Sequence, residues 1–123
     1  MTRVDANVIL RYLLDDHPTH SRLAAEAIES SRVFVATEVI CEVVYVLSGV
    51  YAVDRKSIAE QLIAFIHTET VEVDDVQVLK TALQTFADKK LDFVDALLYA
   101  HKALHGDRII TFDRELTKLL TAG

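Results

Sequence analysis

The residues whose types and spacing suit chemistry are carboxylates. Asp92 and Asp95 lie three apart in Leu91-Asp92-Phe93-Val94-Asp95-Ala96-Leu97-Leu98-Tyr99-Ala100, so a helix through this stretch puts both on one face. The spacing predicts such a helix over about 93–104, with Gly106 in the C-cap place. Phe93, Val94, Ala96, Leu97, Leu98 and Ala100 leave almost no polar stripe, the pattern of a buried helix. Carboxylates at its mouth are costly to bury without partners, so compensation must come from elsewhere in the fold or from a cation. A purely structural use stands beside this one. Asp92 as N-cap and Asp95 as the N3 residue would make a capping-box-like start at the positive end of the helix dipole.

The elements that must position these acids follow from the apolar spacing. A short strand over 2–5 leads into a helical run over 8–14 that stops at Asp15-Asp16-His17-Pro18. Thr19 caps a second helix, 20–30, and Val33-Phe34-Val35-Ala36 has the continuous apolar character of a strand covered on both faces. Thr37 caps a helix ending near Gly49, and Asp54 caps another over 55–66. Val71-Glu72-Val73 is a further strand, with Asp74 or Asp75 capping a helix over 76–87. After Gly106, Arg108-Ile109-Ile110-Thr111 reads as a fourth strand, and Asp113 caps a last helix over 114–120. Strands separated by helices of this length predict a single α/β domain over 1–123. It would have three layers, α/β/α, around a mostly parallel sheet of about four strands.

Composition narrows the chemistry. At 123 residues and 51% hydrophobic content the chain can fill one core. Nineteen acids against 13 bases give a net charge of -6, opposite to the balance that confers general nucleic-acid affinity. A nucleic-acid substrate would need metal ions or a local basic patch. Cys41 is alone and reads as a small buried apolar residue. Neither a signal peptide nor a membrane-length apolar run is visible, which predicts a cytoplasmic protein with no membrane partner. Three glycines form no phosphate-cradling loop and no nucleophile elbow.

In open parallel sheets, sites form beyond the carboxyl ends of the strands. Asp5 ends the first predicted strand, Asp113 follows the fourth, and Glu42 lies in the second turn of the helix leaving the second. With Asp92 and Asp95, five acids are expected on one rim. Each also has a use as a cap or on a solvated helix face. Two carboxylates about 5 Å apart repel by about 3 kcal/mol at an effective dielectric near 20, so a cluster calls for a cation or raised pKa values. Oxygen-only ligands favour Mg²⁺ or Mn²⁺, ions suited to phosphate-ester hydrolysis.

Val4-Asp5-Ala6-Asn7-Val8-Ile9-Leu10-Arg11-Tyr12-Leu13-Leu14 resembles the opening motif of the PIN-domain family, in particular of VapC-type toxins of toxin–antitoxin pairs. Glu42 in Ile40-Cys41-Glu42-Val43, Asp95 in Asp92-Phe93-Val94-Asp95-Ala96-Leu97, and Asp113 in Ile110-Thr111-Phe112-Asp113 are similar to its later acidic motifs, in order. The resemblance implies a metal-dependent ribonuclease leaving 5′-phosphate and 3′-hydroxyl ends. Asp5, Glu42, Asp95 and Asp113 would hold Mg²⁺ or Mn²⁺ and position the attacking water. Asp92 would be an auxiliary acid, Asn7 would orient Asp5, and Thr111 would hydrogen-bond within the cluster. It also implies a homodimer and a cognate antitoxin. Many relatives carry one more strand after the last acidic motif, whereas here only residues 115–123 follow.

Two other functions stay open on the residues alone. Asp5-x-Asn7 at a strand end resembles in outline phosphatases with an Asp nucleophile, which would make the chain a metal-dependent phosphohydrolase on a small substrate. A catalytically inactive PIN-like protein-interaction module is the other. His101 and His105 have a zinc-compatible spacing, but no Glu follows His101, and imidazoles are favourable at a helix C-terminus. Lys89-Lys90 and Arg55-Lys56 read as solvated charges.

Overall fold

The structure is a computed structural model describing residues 1–122. In chain order it contains β1 (Thr2–Arg3), α1 (Ala6–Leu14), α2 (Pro18–Glu29), β2 (Val33–Val35), α3 (Thr37–Gly49), α4 (Arg55–Ile66), β3 (Val71–Val73), α5 (Val76–Asp88), α6 (Phe93–His105) and α7 (Arg114–Ala122). The three strands form one parallel sheet in the order β1-β2-β3, with Arg3 opposite Phe34 and Val35 opposite Val73. Helices separate the strands because parallel neighbours need crossover connections.

Local chemistry sets most boundaries. Asp54 and Asp75 cap α4 and α5 by accepting the N–H groups of Ser57, and of Gln77 and Val78, respectively. Gly106 ends α6 at φ +71°, a left-handed conformation that costs a Cβ-bearing residue about 1–2 kcal/mol. Two expected caps differ. His17 rather than Thr19 caps α2, its Nδ1 accepting the His20 N–H at 3.0 Å, and Pro18 takes the first helical position. Thr37 is already inside α3, where its hydroxyl donates to Asp74 Oδ2 at 3.1 Å instead of capping.

The core runs through every layer. Ile9, Ile28, Val33, Val35, Ile40, Leu47, Ile58, Leu62, Leu79 and Leu83 are all fully buried. Helix α5 packs against both α4 and α6, α1 against α2 and α3, and α7 against α6. Leu116 anchors α7 as its buried residue.

The predicted fourth strand is not formed, so the sheet has three strands. Residues 106–113 run without regular structure between α6 and α7, and Ile110 and Phe112 are 76% and 101% exposed. Strand propensity expresses packing on a pleated, half-buried surface. Arg108, Ile109, Ile110 and Thr111 instead border a groove with Lys102, Thr117 and Leu120 of the flanking helices, where no neighbouring strand supplies a ladder.

Candidate active site

The acids at the starts of α6 and α7 act on one another. Asp92 occupies the N-cap place of α6 with extended backbone, yet its side chain accepts no backbone N–H. The capping use that competed with a chemical one is therefore not realised. Asp95, half-buried in the first turn, has its carboxyl pushed above the usual range. Burial is the largest cause, followed by the charges of Asp113 and Asp92. Asp113 is aimed by its own helix, with Oδ1 accepting the Leu116 N–H at 2.8 Å. The Thr111 hydroxyl accepts the Asp113 N–H at 3.1 Å, fixing the turn into α7.

Asp5 and Glu42 have other local settings. Asp5 caps α1, its Oδ1 accepting the Val8 N–H at 3.0 Å. Asn7 lies in the first turn of α1 and borders a shallow groove with Val8, Arg11, His20 and Leu23. Glu42 is exposed in the second turn of α3. Because β1, β2 and β3 are parallel, Asp5, Thr37 and Asp74 follow them at one edge, and the Asp74 carboxylate accepts from the Thr37 hydroxyl.

The far end of α6 lies beside the end of β3. Its last residue, His105, meets Asp75 at 2.9 Å just past β3. Asp95 is ten residues earlier in the same helix, about 15 Å along the axis, beyond reach of that contact. Among the described residues, no three His, Cys, Asp or Glu side chains stand together so as to hold a metal ion. The donors thus suit a hard cation in kind, being carboxylate oxygens, but not as an assembled set. His101 stands 3.8 Å from Asp107, so both α6 histidines face carboxylates.

A cleft of about 590 Å³ lies beside Asp92 and Asp95, between the exposed face of α3 and the start of α6. Arg55 forms part of it. Its Nη1 donates to the carbonyls of Phe86, Lys89 and Leu91 at 3.1, 3.0 and 2.7 Å. Its guanidinium also lies 4.2 Å from the Phe86 ring centre. One side chain thereby ties α4 to the α5–α6 turn that delivers Asp92 and Asp95. Arg55 is thus held rather than solvated as its sequence context suggests, and a cation at a helix N-terminus, which opposes the dipole, is the signal that it has another task. Cys41 is only partly buried and borders the same cleft. Burial and, next, the Glu38 charge push its thiol up, which makes it a poor nucleophile.

No curated protein and no solved structure matches the chain. The family model described as PIN domain matches residues 3–119, spanning the strands, the acidic helix starts and α7 as far as Leu119. The chain therefore belongs to the PIN domain family, whose members are generally nucleases that use divalent metal ions.

Proposed function

We propose that the chain is a Mg²⁺- or Mn²⁺-dependent ribonuclease hydrolysing RNA phosphodiester bonds, and the toxin of a toxin–antitoxin pair. The observation that carries the reading is Asp95, a half-buried carboxyl pushed up by burial and by the charges of Asp113 and Asp92. Repulsion of that kind is what a bound cation relieves. Such an ion would lower the pKa of bound water and offset charge on the attacking and leaving oxygens. The chain's own residues prepare the place. Asp92 is not occupied with capping, and Asp113 is oriented through Leu116 and Thr111. By resemblance, Asp5 and Glu42 belong to the same working set, and a cytoplasmic homodimer with a cognate antitoxin completes the proposal.

The test is cleavage of a mixed RNA pool containing tRNAs, with Mn²⁺, with Mg²⁺ and with chelator, comparing wild type with Asp95→Asn. Metal-dependent cutting that the variant loses supports the reading. Cutting that survives chelation or the substitution overturns it.

A further inference from the structure

The cleft that Asp92 and Asp95 help to line has a second wall, on α3, with no role so far. Its α3 wall presents Cys41, Val44, Tyr45 and Ser48, which recur at helical spacing on one face. Tyr45 is 77% exposed, and its ring packs on no other aromatic side chain among the described residues. Gly49 is the last residue of this wall, and an added Cβ there would meet nothing within 4 Å. Arg55 is the cation bordering the cleft, and three carbonyls and the Phe86 ring hold it in place.

We propose that this cleft binds an unpaired nucleobase of the RNA next to the cut bond, with the Tyr45 ring as its stacking platform. The inference rests on the ribonuclease reading and gives that site its substrate contact. A chain of net charge -6 draws little affinity from phosphates, so beyond a metal ion at the acids, binding gains most from a surface indifferent to charge. Stacking on an exposed aromatic is such a source, and it accepts any base because each has a π-face. A paired base inside a duplex keeps that face covered and is excluded.

The probe is a fluorescein-labelled single-stranded adenosine 12-mer, followed by anisotropy with Ca²⁺ in place of Mn²⁺. A 12-mer of the same backbone without bases and an RNA duplex serve as comparisons. Tyr45→Phe keeps the wild-type affinity for the adenosine strand, whereas Tyr45→Ala weakens it about five- to a hundredfold. Gly49→Leu fills the cleft, removes a helical glycine and so preserves folding, and it weakens binding by a similar factor. Neither alanine nor leucine alters binding of the base-free strand. The proposal is overturned if Tyr45→Ala binds like wild type, if the duplex binds as tightly as the single strand, or if Gly49→Leu changes nothing, as a cleft that seats a protein would show. It is equally overturned if wild type binds none of these RNAs, and the metal-dependent cleavage assay then decides separately whether the ribonuclease reading stands.

Discussion

Replacing Asp95 with Asn should stabilise the protein at neutral pH while removing its activity. Asp113 and Asp92 are the charged neighbours that act on Asp95, and at a separation taken as about 7 Å each repels by about 2 kcal/mol at an effective dielectric near 20. Asp92 and Asp113 are exposed, so water and a Debye length of about 8 Å at physiological salt reduce each contribution by half or more. The first-turn position of Asp95 returns about 0.5 kcal/mol through the helix dipole. The net gain for Asp95→Asn is then about 1 kcal/mol at pH 7, or a rise of about 3–5 °C in Tm for a chain of this size. The sign follows from proton uptake. The folded protein holds the Asp95 proton to a higher pH than the unfolded chain, so stability falls as pH rises from the usual carboxylate range through the raised pKa. The penalty is fully present above that value and absent below both. Thermal melts of the two proteins at pH 7 and pH 3, in low salt and in 1 M salt, measure it. Equal or lower stability of the variant at pH 7 in low salt refutes the argument, as does a gain that persists at pH 3.

Two further substitutions probe the frame around these acids. Arg55→Ala should cost about 2–3 kcal/mol in urea unfolding, because it strips a charged donor from three carbonyls and uncovers the Phe86 ring. Arg55→Lys should recover only part of this, since an ammonium can reach the carbonyls but offers no planar cation to lie on the Phe86 ring. Asp75→Ala should cost about 1 kcal/mol as a lost N-cap. The Val78 N–H, first, and then His105 hold the Asp75 carboxyl below its usual range. Its contribution is therefore present above the unfolded-chain pKa and lost as pH falls through the lowered one. A pH series of melts in which wild type and Asp75→Ala converge in acid checks this.

The order of α and β segments was legible because the signals are local. Asp54 and Asp75 precede apolar periods that only helices satisfy, and Gly106 stands where a left-handed residue is needed. The fold class and family could be read from that order together with Asp5, Glu42, Asp95 and Asp113. Thr37 was expected to cap α3 but is drawn off by Asp74, a partner distant in sequence that propensity does not weigh, whereas the His17 cap was missed because an imidazole is an uncommon N-cap.

What the sequence determined by itself was therefore the parallel α/β plan and the family motifs. Both depend on periodicity and residue type within a few turns of chain. What the tertiary structure alone decided was which of those acids meet. It brought Asp95 under the influence of Asp113 and Asp92, placed the far end of α6 against Asp75, and bound Arg55 to three carbonyls of a distant turn. It also left 106–113 without a strand partner. Ladders and charge–charge distances are set by how separate helices and strands pack, and packing is a property of pairs of segments that no single stretch of sequence contains.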